Sequence, residues 1–134
     1  MAREEAFAPF VRATFITPVL VFVHFVALAA FCLVAVRVVQ QYALLFADMD
    51  AELAGAAVGV VVLSNWMCHN WWTLFVALIM FDAPLLFALQ VLPPRLRWTY
   101  HVWFTGVTLA LLVGIIWISF VITAQFSDMP VPGG

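Results

Sequence analysis

The stretch DMDAELAGAAVGVVVLSNWMCHNWW, residues 48–72, decides how the rest of the chain is arranged. It begins with three carboxylates (Asp48, Asp50 and Glu52), continues through small and apolar residues, and ends in a cluster of Trp, Asn and His. Both of its ends are more polar than the long apolar runs on either side. Its interpretation therefore determines how many times the chain crosses a membrane.

The composition is typical of a membrane protein with several spanning helices. Of the 134 residues, 67% are hydrophobic and only 9% are charged, whereas a soluble domain is roughly 45–50% apolar and about 25% charged. The formal net charge of −2 argues against nucleic acid as a partner, because nucleic-acid binding relies on basic surfaces. Cys32 and Cys68 lie in different segments and form no CxxC pair, so they predict neither a disulfide nor a metal site.

Three runs are long and apolar enough to cross a bilayer, which takes about 20 residues. The predicted spans cover about 13–38, 71–92 and 98–123. They belong to a single membrane domain, 13–124. The first run is too long for the apolar region of a cleaved signal peptide, so we expect it to be retained. Residues 1–12 are predicted to be a cytoplasmic tail, and residues 125–134, rich in Pro and Gly, a disordered one.

Between the first two spans, we predict an amphipathic helix on the membrane surface, at about 48–68. Seven residues in and just before this region recur at spacings of three and four, which is the period of one helix face. They are Phe46, Met49, Leu53, Ala57, Val60, Ser64 and Met67. The uncharged core, 53–63, is short for a span. The acidic residues are expected at the start of this helix, where its dipole favours negative charge. In the alternative, residues 53–68 cross the membrane and the chain has four spans.

The basic residues predict the orientation, because cytoplasmic loops are enriched in Arg and Lys. With three spans, the arginines near the N-terminus and those of the turn 93–97 lie on one side, and the carboxylates of 48–52 lie on the other. The N-terminus is therefore predicted to be cytoplasmic. An indole ring prefers the headgroup region, so five tryptophans are predicted as interface anchors: Trp66, Trp71, Trp72, Trp98 and Trp103.

Two ionisable residues, His24 and Asp82, lie well inside the predicted spans. At 1.5 Å per residue, each is about 15 Å from the inner end of its span, so both fall near the midplane. An ionisable group at that depth indicates a functional site. Two interpretations remain open. One is a proton-relay or ion-coupled site, and the other, which we favour, is a buried hydrogen bond that holds two helices together.

No catalytic centre, cofactor site or metal site is predicted. A haem held by His24 and His101 would need both histidines at similar depth, and these differ by roughly 10 Å along the membrane normal. The carboxylates of 48–52 stand two residues apart, and residues two apart do not share a helix face. No nucleophile–base constellation and no phosphate-binding loop is found in the sequence. The chain is therefore predicted to be non-enzymatic.

The region from the first span into the second resembles the inner-membrane platform proteins of type II secretion and type IV pilus systems. Those proteins carry a membrane helix, a pattern resembling F-x-x-x-x-x-E-L-P-x-x-T-x-x-V-x-x-x-S, and an aromatic-rich entry to the next helix. The matching residues here are Phe46, Glu52, Leu53, Val60, Ser64, Trp71 and Trp72. Ala54 and Ala57 stand where the pattern has Pro and Thr. The cytoplasmic helical domains of that family, which face the assembly ATPase, have no counterpart in the 134 residues.

The resemblance implies a scaffold or assembly component of a secretion- or pilus-like envelope complex in a bacterial inner membrane. Its expected partners are the lipid bilayer and other membrane subunits or further copies of the chain. A small membrane-anchor subunit of a respiratory or ion- or proton-coupled complex is the alternative. The predicted fold is all-α and integral to the membrane, with three transmembrane helices and an interfacial helix between the first and second.

Overall fold

The computed structural model describes residues 2–49, 53 and 55–127. All regular elements in these residues are helical, with no β-strand among them: α1 (Ala2–Leu33), α2 (Val39–Asp48), α3 (Ala56–Ala77), α4 (Ala83–Val91) and α5 (Trp98–Ser127). Single π-helical turns, Val34–Val38 and Leu78–Asp82, join α1 to α2 and α3 to α4. A short 3-10 turn, Pro94–Leu96, precedes α5.

The prediction of three helices long and apolar enough to cross a membrane is confirmed. These helical segments are Ala8–Asp48, Ala56–Val91 and Trp98–Gln125, with 41, 36 and 28 residues. Each exceeds the roughly 20 residues that a bilayer core requires. Large apolar side chains cover their outer faces, for example Phe15, Phe81 and Phe120, which are 75%, 76% and 69% exposed. An apolar surface of this extent suits a lipid environment.

The interfacial helix predicted at about 48–68 is not supported. Asp48 was predicted to lie at the start of the interfacial helix. It is instead the last residue of α2 and lies at a helix C-terminus. Asp50 and Glu52 fall outside the described residues. The following helix begins at Ala56 and continues through the π turn to Val91, so the predicted interfacial helix and second span form one segment. Of the seven residues on the predicted helical face, five are buried: Phe46, Ala57, Val60, Ser64 and Met67.

The helices also extend past the predicted span boundaries. α1 begins at Ala2, inside the predicted tail 1–12, and α5 reaches Ser127, inside the predicted tail 125–134. The first segment continues to Asp48 because nothing between 38 and 48 stops a helix: the run holds neither Pro nor Gly. α4, in contrast, ends at Val91, because Leu92 precedes two prolines and adopts extended angles, φ −57° and ψ 154°.

The chain divides into two compact units. The first unit comprises Met1–Leu28 and Trp72–Leu111, and the second comprises Ala29–Trp71 and Leu112–Gly134. In the first unit, the buried side chains of α1 stand four or seven residues apart on one face, and those of the second helical segment stand four apart: Ala13, Thr17, His24 and Leu28, with Asp82, Leu86 and Gln90. More than half of these core residues are polar, so the first unit needs an internal hydrogen-bond network.

The second unit has a mostly apolar core. Ser64 is its only buried polar residue among those described, and the apolar members include Val39, Phe46 and Met67. Gly114 of α5 lies against Phe31 of α1, where an added Cβ would come within 2.9 Å of the ring atom Cε2. A glycine therefore permits the close approach of these two helices. Gly55, directly before α3, has φ +59°, a left-handed conformation that favours glycine.

Candidate functional site

The structure brings the two predicted intramembrane residues together in the first unit. His24 Nδ1 lies 2.6 Å from Asp82 Oδ2. His24 is 0% exposed and Asp82 is 7% exposed, so the pair is closed off from its surroundings. His24 and Asp82 are 58 positions apart in the sequence and in direct contact in the structure.

Local sequence explains how Asp82 reaches this position. It is the last residue of the π turn Leu78–Asp82, in which the N–H of Ala83 donates to the carbonyl of Leu78. Pro84 follows in the first turn of α4. Because proline has no N–H and its ring crowds the carbonyl four residues earlier, a regular α-helical turn is disfavoured there. A π turn accommodates the proline, and such turns are frequent at functional sites.

The third long helix, α5, completes the network. The indole Nε1–H of Trp103 donates to Asp82 Oδ1 at 2.8 Å, and His24 Nε2 lies 3.1 Å from the backbone oxygen of Phe104. The imidazole also stacks on the Phe104 ring, with centroids 4.8 Å apart and planes inclined by 18°. We call His24, Asp82, Trp103 and the Phe104 carbonyl the polar clamp, because together they link all three long helices.

Hydrogen-bond chemistry fixes the proton count of the polar clamp. A carbonyl oxygen only accepts, so His24 Nε2 carries a proton and donates to Phe104. The contact between Nδ1 and the Asp82 carboxyl then holds one further proton. That proton belongs either to an imidazolium facing a carboxylate or to a carboxylic acid facing a neutral imidazole. Both arrangements leave the pair with no net charge, which is the state that a buried site tolerates best.

A second polar contact links the same two helical segments. Gln90 Nε2 donates to Thr17 Oγ1 at 3.0 Å, and both side chains are buried. Thr17 precedes His24 by seven residues, or two helical turns, and Gln90 follows Asp82 by eight. The two contacts are therefore successive rungs between antiparallel helices. No buried side-chain nitrogen or oxygen among the described residues lacks a hydrogen-bond partner.

Sequence reasoning missed two members of the clamp. Trp103 was predicted only as an interface anchor, and its donor role depends on the rotation of α5, which sequence alone does not reveal. The Phe104 carbonyl carries no sequence signal, because every residue has one. The available clue was that a buried Asp needs donors and that an indole N–H lies one turn into the next helix.

His101 does not join His24. It lines a separate cavity of the first unit together with Arg12, Arg97 and Tyr100. Both ring nitrogens of His24 are already engaged, by Asp82 and by the Phe104 carbonyl, so neither offers a free lone pair to a haem iron. Within the part of the chain that the structure describes, no group of three or more His, Cys, Asp or Glu side chains is arranged to hold a metal ion.

In the second unit, the polar residues between 64 and 70 make hydrogen bonds within α3 and with α2. Gln40 Nε2 of α2 donates to Ser64 Oγ at 3.0 Å and to Asn65 Oδ1 at 2.7 Å. His69 Nδ1 donates to the Asn65 carbonyl, one turn earlier. Asn70 Nδ2 donates to the Trp66 carbonyl, and Asn70 itself has non-helical angles, φ −120° and ψ 15°. These hydrogen bonds join α2 to α3 and connect side chains of α3 to its own backbone.

The five predicted anchor tryptophans are all exposed. Trp66, Trp71, Trp72, Trp98 and Trp103 are 49%, 54%, 55%, 61% and 41% exposed, respectively. Outward-facing indoles are what a membrane anchor requires, and their depth in a bilayer stays a prediction.

Comparison with known proteins adds no relative to this description. The chain matches no protein-family model, no curated protein and no solved structure. Its function is therefore argued from the geometry of its own residues.

Proposed function

We propose that the chain is a non-enzymatic integral membrane subunit that acts as a scaffold or assembly component of an envelope complex. The polar clamp is the observation that carries this proposal. It joins all three long helices through three interhelical contacts of 2.6–3.1 Å. Every donor and acceptor in it is used within the chain, so the site has the character of a helix-packing contact and not of a ligand-binding pocket.

The energetics of such contacts suit a structural role. An interhelical hydrogen bond in a membrane contributes about 0.6 kcal/mol on average and up to roughly 1.7 kcal/mol. Two rungs and the Trp103 contact together stabilise one relative arrangement of the helices by a few such increments. A fully satisfied buried network also specifies a single packing, and a rigid subunit is what an assembly scaffold needs.

The resemblance to secretion and pilus platform proteins supports the choice of complex. In the matched segment, Phe46, Val60 and Ser64 are buried, whereas Trp71 and Trp72 are exposed. The segment thus presents an aromatic surface to lipid or to a neighbouring subunit. We infer a location in a bacterial inner membrane with the N-terminus cytoplasmic, and partners among the other subunits of such a complex or further copies of this chain. Co-purification with a secretion-type ATPase or a pseudopilin tests this assignment.

One observation favours a second candidate, a proton-coupled subunit. The 2.6 Å contact between His24 and Asp82 holds a single proton between two titratable groups. A site of this kind is the core of a proton relay. The respiratory-anchor form of this alternative predicts bound haem or quinone, which a Soret band or organic extraction of the purified protein detects.

Asp82→Asn separates the two candidates. An asparagine amide can donate to a neutral His24 Nδ1, while its oxygen still accepts the Trp103 indole N–H, so all contacts of the clamp survive. The shared proton, however, disappears. We expect Asp82→Asn to lower the free energy of unfolding by less than about 1 kcal/mol, measured by detergent titration of the purified protein.

Asp82→Ala is the matched disruptive variant. It leaves both His24 Nδ1 and the Trp103 indole without their Asp82 partner. His24 is fully buried, and an unsatisfied buried group costs about 1–3 kcal/mol. A loss of about 2 kcal/mol or more is therefore expected. Proton flux into liposomes is measured in parallel. If the wild type supports proton flux and Asp82→Asn abolishes it, the proton-coupled proposal replaces the scaffold proposal. If Asp82→Asn and Asp82→Ala are equally stable, the polar clamp does not stabilise the fold.

A further inference from the structure

The first unit contains a second site that the clamp does not use. A cavity of about 180 Å³ lies where the start of α1, the end of α4 and the start of α5 meet. Its polar lining consists of five side chains: Arg12, Gln90, Arg97, Tyr100 and His101. At about 30 Å³ for each water molecule in the liquid, the volume equals roughly six waters. That is enough room for a small polar group with part of its hydration.

The described charged groups that line the cavity are both basic. Among the residues whose side chains are described, two guanidinium groups line it and no Asp or Glu does. In the part of the chain whose side chains are described, the only ion pair joins His24 to Asp82, so neither Arg12 nor Arg97 is neutralised there. Arg97 uses its Nε–H on the Leu92 carbonyl at 3.4 Å. That contact leaves the terminal nitrogens of Arg97 available to an anion.

The donors match a phosphate group. Guanidinium groups bind phosphate oxygens through paired N–H donors, and the Tyr100 hydroxyl and the His101 ring offer further donors. Gln90, at the inner wall, is held in place by its hydrogen bond to Thr17. Two convergent arginines with neutral polar neighbours form a site for an anion with several acceptor oxygens.

The position of the cavity identifies the carrier of that phosphate. Arg12 lies four residues after Ala8, where the first candidate span begins, and Gln90 directly precedes Val91, where the second ends. Arg97 directly precedes Trp98, where the third begins. All three spans thus reach the cavity at one of their ends. The arginines at that end place it at the level of the lipid headgroups. Basic cavities between membrane helices at this level hold anionic headgroups.

We propose that this cavity binds the phosphate of an anionic phospholipid, with Arg12 and Arg97 as the two principal ligands. The site is independent of the scaffold role proposed above, because it shares no residue with the polar clamp. It gives the chain a preference for anionic lipid at one end of its helices.

Lipid titration of the full chain in a neutral detergent, followed by native mass spectrometry, tests this site. We expect one molecule of phosphatidylglycerol to bind at least tenfold more tightly than phosphatidylcholine. Arg12→Gln/Arg97→Gln should weaken phosphatidylglycerol binding at least tenfold. Arg95→Gln, which removes an exposed charge from the same turn without touching the cavity, should change it less than twofold.

Further arms keep the result decisive. Arg12 is exposed, so Arg12→Gln alone should fold even if the double variant does not, and it should still weaken binding several-fold. Equal binding of the two lipids, or unchanged binding by the variants, would overturn the proposal. Arginine-dependent binding of glycerol 3-phosphate without binding of phosphatidylglycerol would also overturn it, in favour of a soluble phosphate. We expect Arg12→Gln to be as stable as the wild type and Asp82→Ala to be less stable. This difference separates a failure of the lipid-site proposal from a failure of the polar clamp.

Discussion

A single proton between His24 and Asp82 explains how two ionisable side chains can be buried together. Isolated charges are expensive to bury, and a neutral or mutually compensated pair is not. The Phe104 carbonyl determines the number of protons on the pair, because it requires a proton on His24 Nε2. Trp103 supplies the remaining donor to Asp82. The clamp is therefore complete only when all three helices are present.

Trp103→Phe tests the indole contribution separately. The substitution keeps an aromatic ring and removes only the N–H that donates to Asp82 at 2.8 Å. We expect the free energy of unfolding in mixed detergent micelles to fall by about 1 kcal/mol, the size of one interhelical hydrogen bond. Trp98→Phe is the control, because Trp98 is 61% exposed and makes no described hydrogen bond. Equal losses in both variants would mean that ring size matters and the indole donor does not.

At the residue scale, sequence reasoning singled out His24 and Asp82, and the structure places these two side chains in contact. His24 and Asp82 stand out because each is an ionisable residue inside an apolar run, and counting residues from the span ends placed them at one depth. The partner atoms on α5 left no comparable mark. A backbone carbonyl is present at every position, and a tryptophan near a span end has a sufficient explanation as an anchor.

At the scale of elements, the predicted helix boundary in the polar cluster 65–72 is absent, and the helix continues through it. Side chains there return to the carbonyls of the previous turn, His69 to Asn65 and Asn70 to Trp66. These contacts allow the helix to pass a local distortion at Asn70. The predicted boundary near residue 70 thus coincides with a kink inside one segment. The two π turns were not predicted, since only Pro84 hints at one of them.

The contact of α2 with α3 depends on Gln40. Its amide donates to both Ser64 and Asn65, and Ser64 is 0% exposed. We expect Gln40→Leu to lower the free energy of unfolding by about 1–2 kcal/mol, because a buried hydroxyl loses its donor. Gln41→Leu changes the adjacent exposed side chain and should cost less than about 0.5 kcal/mol. Indistinguishable stabilities of these two variants, measured by detergent titration, would show that the contact contributes nothing.

For the whole molecule, composition and run length were sufficient to predict an all-helical membrane fold with three long apolar helices. Few other solutions bury backbone polar groups in lipid. The number of residues in each helix does not specify which part lies in the bilayer, because 41 and 36 residues far exceed one crossing. Depth therefore depends on the exposed tryptophans and on the arginines.

Reporter fusions test the three-span orientation directly. With the N-terminus cytoplasmic, alkaline phosphatase fused after Arg97 should be inactive and the same enzyme fused after Ser127 active, while green fluorescent protein should give the reverse pattern. The segment Ala56–Val91 supports this arrangement, since it is kinked at Asn70 but contains no loop that would separate residues 53–68 as a span of their own. A four-span chain would place the 93–97 turn outside and activate the phosphatase at Arg97. The same fusions in an Arg95→Gln/Arg97→Gln background test whether the basic turn sets the orientation. If it does, the difference in reporter activity between the two fusion sites should be smaller in this background. An unchanged difference would assign the orientation to other residues.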